Sequence, residues 1–211
     1  HFGERKHWLN DDYVKFIRLA EHMIDKNGEG VLGFITNHGY LDNPTFRGMR
    51  WQLLKTFDKI YVLDLHGNSK KKEVCPDGSP DKNVFDIMQG VAIIIGVKRE
   101  DSHGDLAKVW HGDLWGNRRS KNDWLWKGLT KDREFEKLSP RKPYSMFYDV
   151  NYGALETYDQ GFSVSKIFKK QSTGIISARD KLAIDADLSA LRSRFEHFLN
   201  PNIDDDQVRQ E

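Results

Sequence analysis

The chain has little sulfur to brace it: Cys75 is the sole cysteine among 211 residues. No internal disulfide is possible, and a reducing setting suits such a chain better than a secreted one. Long apolar runs are absent as well. A membrane-crossing helix needs roughly 18–20 apolar residues, whereas the longest run, Val91 to Val97, is of strand length. Residues His1 to His7 are polar and charged and lack the apolar stretch of a secretory signal. The expectation is a cytoplasmic location with no membrane partner. Net charge is nearly missing too, since 33 Lys and Arg against 32 Asp and Glu leave +1. That excludes a histone-like polycation. It leaves room for a local basic face, because phosphate contacts depend on patches and not on the average.

Several chemical signatures are also lacking. No phosphate-binding loop ending in Gly-Lys-Ser/Thr occurs. The eight histidines are scattered without paired ligand spacing and Cys75 has no companion, so no metal site is expected. Gly28-Glu29-Gly30-Val31-Leu32-Gly33 has the G-x-G-x-x-G spacing of dinucleotide-binding folds. That chemistry requires the glycines to follow a strand and open a helix. Here they follow a helical pattern and enter a strand, so they read as turn residues. Glu4-Arg5-Lys6 has the Glu-x-Lys spacing of some nucleases but no upstream Asp, and it reads as a solvated charge run.

What is present is enough apolar material for a packed core: 38% hydrophobic residues, with six Trp and twelve Phe. Tyr13, Phe16, Ile17, Ala20, Met23 and Ile24 recur at three- and four-residue steps. This predicts a helix from Asn10 to Lys26, capped by Asn10 and stopped at Asn27-Gly28. Val31 to Ile35 reads as a buried strand. Asn43-Pro44 opens a second helix, with Phe46, Met49, Leu53, Leu54 and Phe57 on its apolar side. Ile60 to Leu65 and Gly90 to Val97 are two further buried strands. Apolar strands alternating with helices indicate an α/β sheet covered on both faces. A long loop from His66 to Phe85 carries Lys70-Lys71-Lys72, and loops of that length inside a domain are usually functional or mobile. Ala107 to Leu114 reads as an edge strand paired back on the sheet. Past Trp115-Gly116 short elements dominate, with Pro140 and Pro143 as breakers and Trp110, Trp115, Trp124 and Trp126 as packing residues. A helix is expected over Leu188 to Leu199, stopped by Asn200-Pro201, and another from Ile203 with Asp204 as its cap.

Four segments in order carry a specific likeness: Leu9-Asn10-Asp11-Asp12-Tyr13-Val14-Lys15-Phe16, Gly33 to Leu41 (GFITNHGYL), Phe57 to Asn68 (FDKIYVLDLHGN) and Asn83 to Ile93 (NVFDIMQGVAI). Together they resemble the later motifs of N6-adenine DNA methyltransferases fused into single-chain restriction–modification enzymes, the type ISP and type IIG group. Asp113-Leu114-Trp115-Gly116, Ser172 to Ile175 and Ala178 to Asp185 resemble the stretch linking that methyltransferase to its target-recognition domain, so the likeness spans most of the chain. It implies a partial Rossmann-like methyltransferase sheet over 1–116, then a mixed α+β connecting region over 117–211. It also implies a reaction, methyl transfer from S-adenosylmethionine to adenine N6 in DNA, with double-stranded DNA and the remainder of the parent polypeptide as partners.

Two parts of that family's machinery are missing. The glycine-rich loop that binds S-adenosylmethionine is absent, and so is the Asn-Pro-Pro-Tyr loop that holds the adenine amino group. The cofactor is therefore expected in the intact parent and not on this chain, which is expected to be inactive alone. A non-catalytic DNA-binding module on the same scaffold is the alternative.

The candidate residues follow from this likeness. An enzyme that methylates a base in a duplex must swing it out of the stack and hold it. Phe85 flanks the flipped base in this reading, or is a core residue beside Ile87. Thr36 and Asn37 leave the carboxyl end of a strand, the ligand side of an open α/β sheet, or form an ordinary turn. Gln89 reads an adenine edge or pairs with nearby backbone. Lys70, Lys71 and Lys72 neutralise DNA phosphates or are simply solvated. Arg179 and Lys181 contact DNA or pair with Asp180 or Asp185.

Overall fold

The computed structural model describes the chain apart from residues 1–2, 5, 102–103, 128–134, 171–179 and 205–211. It forms two compact units, His1–Tyr152 and Gly153–Glu211. The first unit thus runs well past residue 116, where the sequence pattern changes character.

Helix α1 spans Asp12–Asn27 and buries Ile17 and Glu21. Gly28 ends it at a φ of 91°, its N–H reaching the carbonyls of Ile24 and Asp25. Asn10 is not its cap. It closes a separate 3-10 turn, His7–Asn10, and Asp11 flanks the helix without a side-chain capping bond. Strand β1, Gly30–Asn37, follows. Asn43 then accepts the Thr45 N–H at 2.9 Å, with Pro44 in the first turn, and this 3-10 turn runs into α2, Arg47–Thr56. Strands β2 (Lys59–Asp64), β3 (Val91–Lys98) and β4 (Lys108–Asp113), helix α3 (Arg118–Trp126) and strand β5 (Glu136–Leu138) complete the unit.

The strands form one sheet in the order β1-β3-β2-β4-β5. Strand β3 lies antiparallel to both neighbours, β2 and β4 are parallel, and β5 is antiparallel to β4. Consequently β1, β2 and β4 all point the same way, and their carboxyl ends share one rim. This is a mixed, open α/β sheet consistent with part of a Rossmann-like fold. Strand β4 is not the edge that its sequence suggested, because β5 pairs along its outer side.

Alternation along the strands assigns the faces. Leu32, Ile60, Val62, Ile94 and Val109 join Ile17, Leu53, Leu54 and Phe57 in the main core. On the other face Leu63, Leu65, Val91 and Leu114 pack with Trp124 and Leu125 of α3. Tyr61 and Trp110, paired across β2 and β4, stack there at 4.9 Å. That second cover does not reach β1, whose Val31, Gly33 and Ile35 stay exposed. The fully buried strand expected over Val31 to Ile35 is therefore an edge strand buried on one face. Among the described residues no helix is long and apolar enough to cross a membrane.

Two fully buried cations organise the connections. Arg50 donates to the carbonyls of Tyr40, Asn43 and Tyr144, and this burial lowers its pKa to about 10. Lys121 of α3 lies 2.6 Å from Asp81 on the long loop, with neither side chain exposed. Its ammonium also donates to the carbonyls of Leu65 and Lys82. Asp81 in turn accepts the N–H groups of Gly67 and Gly116. Gly67 itself has a φ of 80°, and a Cβ there would lie 2.4 Å from the Asn83 Cα. The loop is thus clamped against the ends of β2 and β4.

Helix α4 (Tyr152–Asp159) begins on the last residue of the first unit, and α5 (Val164–Ile167), α6 (Asp180–Ala183) and α7 (Leu188–Phe198) follow in the second. Asp187 caps α7 by accepting the Ser189 N–H. The helix ends just before Asn200-Pro201, as its sequence predicts. The helix expected beyond Asp204 lies outside the described residues.

Two outcomes follow from these contacts. Lys121→Met leaves Asp81 buried without its counter-charge, and urea melts are expected to show a loss of about 3–5 kcal/mol. Strand β1 has an open edge and an exposed apolar face, so sedimentation velocity is expected to show self-association of the chain, reduced by Ile35→Lys. A sharp, reversible two-state melt of a monomer would count against that reading of the edge.

Candidate functional site

Polar residues cluster at the shared carboxyl rim of β1, β2 and β4, the ligand side of an open α/β sheet. They surround a cleft of about 350 Å³ whose lining includes His38, Asp64, His66, His111, Asp113 and Trp115. The rim positions these groups because each strand ends in a polar residue or passes into one: Asn37 closing β1 ahead of His38, Asp64 closing β2, and Asp113 closing β4.

The hydrogen bonds fix where the ring protons sit. Lys71 N–H donates to Asn68 Oδ1 at 3.1 Å, which turns the Asn68 amide nitrogen toward His38 Nε2 at 3.0 Å. Nε2 must therefore accept, and His38 Nδ1 donates to Asp64 at 3.0 Å. Gly90 makes this burial possible, since a Cβ there would lie 2.3 Å from the His38 ring. His66 adopts a φ of 50°, its N–H bonded to Asp64 at 2.8 Å and its ring stacked on Trp115 at 3.3 Å. Its Nε2 meets Asp113 Oδ1 at 2.7 Å.

His111 differs. Its Nδ1 faces the Phe147 carbonyl at 2.8 Å and its Nε2 faces Asp113 at 3.2 Å, so both ring nitrogens donate. Burial alone would lower its pKa, but the Asp113 hydrogen bond and charge outweigh burial and raise it. Asp64 and Asp113 feel the converse. Burial works to raise both carboxyls, and the imidazoles against them hold both well below the usual carboxylate range.

Asn37, next to His38, leads from the cleft to other residues singled out from sequence. Asn37 accepts the Gly39 N–H at 2.8 Å, and its amide nitrogen donates to Gln89 at 2.9 Å. Asn83 donates to the Gln89 carbonyl at 2.6 Å and accepts the Phe85 N–H at 2.9 Å. Arg118 holds the Asn83 and Phe85 carbonyls. Asn37, Gln89 and Phe85 are thereby joined through one network. Phe85 is 46% exposed, so it is not the core residue of the competing reading. Thr36 is buried and donates to the Asn37 carbonyl. Lys70 and Lys72 are exposed on the loop, whereas Lys71 is tied to Asp42 at 2.7 Å. Arg179 lies outside the described residues. Lys181 belongs to α6, in the second unit.

Sequence reasoning missed the His38, Asp64, His66, His111 and Asp113 cluster, and the Lys121–Asp81 pair. Histidine spacing along the chain could not reveal a cluster drawn from three strands. A usable signal was the switch from apolar to polar residues at each strand's end, as in Val62-Leu63-Asp64-Leu65-His66.

No protein-family model and no curated protein matches this chain. Solved structures do. A DrdV–DNA complex matches 93% of the chain at 25% identity and a TM-score of 0.65. The ATP-dependent type ISP restriction–modification enzyme LlaBIII bound to DNA matches 89% at 26% identity and a TM-score of 0.62. A nuclease-deletion mutant of the type ISP enzyme LlaGI, in complex with a DNA substrate mimic, matches 70% at 26% identity and a TM-score of 0.57. The chain spans 20%, 13% and 12% of those proteins respectively. Over most of its length it is thus similar to one segment of much larger proteins, two of them type ISP restriction–modification enzymes.

A pH dependence follows from His111, which faces Asp113, the Phe147 carbonyl and the more distant Asp64. Its pKa is raised by folding, so its stabilising contribution is complete below about 6.5 and is lost as pH rises through the higher folded value. The melting temperature is expected to fall as pH rises above that point, and His111→Gln to flatten the decline. An unchanged slope in the variant would remove His111 as the cause.

Proposed function

We propose that the chain is part of a site-specific adenine DNA methyltransferase, the second half of its methyltransferase domain together with the start of the segment leading to its target-recognition domain. In the intact protein a methyl group passes from S-adenosylmethionine to adenine N6. The observation that carries this reading is the joining of Asn37, Gln89 and Phe85 at the ligand rim of a chain similar to type ISP restriction–modification enzymes solved in complex with DNA or a DNA substrate mimic.

The chemistry suits these groups. A flipped adenine must be held outside the duplex, and an exposed aromatic face held on a clamped backbone offers a stacking surface. The Asn37–Gln89 amide pair supplies donors and acceptors able to meet an adenine edge. The exocyclic amine is itself the nucleophile, so no covalent bond to the protein is needed. Lys70 and Lys72, exposed on the same loop, are available to DNA phosphates, while Lys71 is engaged by Asp42. The open edge of β1 fits a sheet continued by strands from the rest of the parent, which would bring the S-adenosylmethionine and Asn-Pro-Pro-Tyr loops.

The test is methyl transfer from labelled S-adenosylmethionine to duplex DNA, comparing this chain with a polypeptide extended on both sides. Labelling of adenine N6 by the extended protein alone is the expected result. Activity of the short chain would overturn the account of missing motifs, and inactivity of both would favour a binding module. In the extended protein Phe85→Ala is expected to lower kcat/KM about 5- to 150-fold, which corresponds to the roughly 1–3 kcal/mol of a base-stacking contact.

A further inference from the structure

Two of the cleft histidines share a pattern that their hydrogen bonds alone do not require. His38 commits Nδ1–H to Asp64, and His66 commits Nε2 to Asp113. Each ring is therefore oriented by a carboxylate through one nitrogen and presents the other with its lone pair. For His38 that atom is Nε2, facing the Asn68 amide. For His66 it is Nδ1, whose ion-pair neighbour Asp64 Oδ2 lies 3.7 Å away, beyond hydrogen-bond reach. A histidine backed by a carboxylate in this way is the usual arrangement of a metal-ligating imidazole, because the second bond sets the tautomer and raises the basicity of the free nitrogen.

A third donor completes the set. Glu73 sits on the long loop, and its carboxylate accepts the Asn68 N–H at 2.8 Å. His38, His66 and Glu73 each offer a ligand atom, and the three atoms lie within 4.8 Å of one another. All three line the cleft, which opens to solvent and supplies an entry path. Asp42, Asp64, Asp113 and Asp149 also line it, against Lys71 and the doubly donating His111, so with Glu73 its carboxylates outnumber its cations and favour a metal ion.

We propose that His38, His66 and Glu73 bind one first-row divalent cation of the Zn²⁺ type, with Asp64 and Asp113 as the carboxylates that orient the two imidazoles. Two imidazole nitrogens and one carboxylate oxygen make a borderline donor set suited to Zn²⁺ or Co²⁺ and poorly suited to Mg²⁺ or Ca²⁺. Binding draws the three ligand atoms inward to the roughly 2.0–2.2 Å bond lengths of such an ion. Glu73 follows readily because it is partly exposed on a loop, and the Asn68 amide yields its place on His38 Nε2. The ion joins the end of β1 to the loop that leads on to Phe85, independently of whether the chain serves a methyltransferase.

The test titrates the chelator-treated 211-residue chain with Co²⁺, followed by visible absorption, and with Zn²⁺, followed by calorimetry and thermal melts. The expected result is one ion per chain, ligand-field bands in the visible range and a higher Tm with Zn²⁺. Glu73→Gln is expected to weaken binding at least 100-fold while circular dichroism is unchanged. Asp113→Asn is expected to weaken it about 10- to 100-fold, the range for an orienting carboxylate. Histidine nitrogen NMR of the unmutated chain provides a reading independent of any variant, and Zn²⁺ is expected to shift His38 Nε2 and His66 Nδ1. A folded chain that binds no ion, Glu73→Gln binding as tightly as the parent sequence, or shifts confined to other histidines would each overturn the proposal.

Discussion

The clamp between Lys121 and Asp81 holds the functional rim together. A charge removed from water must be matched and hydrogen-bonded, or it destabilises the fold. Here every donor of the ammonium is used, on Asp81, Leu65 and Lys82, and both Asp81 oxygens accept backbone N–H groups from Gly67 and Gly116. One ion pair therefore gathers the end of β2, the start of α3 and a long loop that has almost no regular structure of its own. Arg118 adds to it by donating to the Asn83 and Phe85 carbonyls, and the Asn68 N–H holds Glu73. The same logic governs Arg50, whose guanidinium donates to the main-chain carbonyls of Tyr40, Asn43 and Tyr144.

The cleft shows how neighbouring groups of one chemical type acquire different states. His38 is flanked by an acceptor and a donor and so carries its proton on Nδ1, whereas His111 is flanked by two acceptors and donates through both nitrogens. Asp113 serves two imidazoles at once, which keeps it ionised. Each ring is held at both ends or stacked, as His66 is on Trp115. The neighbouring Asn37–Gln89 pair and Phe85 are, by contrast, exposed to solvent.

Much of the fold was legible along the chain because burial imposes a period. The apolar steps of α1, the Asn43-Pro44 opening of the second helical stretch and the runs that became β2 and β3 all stand where their patterns put them. Errors arose where the pattern was ambiguous between neighbours. Asn10 and Asp11 are both capping residues, and the chain inserts a 3-10 turn before α1 begins. The apolar run of β1 read as doubly buried, yet Val31 and Ile35 face an uncovered side. Strand β4 read as an edge because the short β5 carries little signal of its own. Lys71 read like its neighbours, and only the structure brings Asp42 against it.

The sequence by itself determined the local elements, the α/β class and the resemblance that pointed to DNA, because helix periodicity, strand length and ordered motifs are properties of near neighbours. It also put Asn37 at the carboxyl end of a strand and Phe85 ahead of β3. The tertiary structure alone decided which of those ends meet. Strand order brings residues from β1, β2 and β4 to one rim, and a buried ion pair folds the long loop onto it. Contacts such as His66 with Asp113 or Lys121 with Asp81 span 47 and about 40 residues of chain. No pattern of adjacent residues encodes them, since they depend on the summed packing of every strand between.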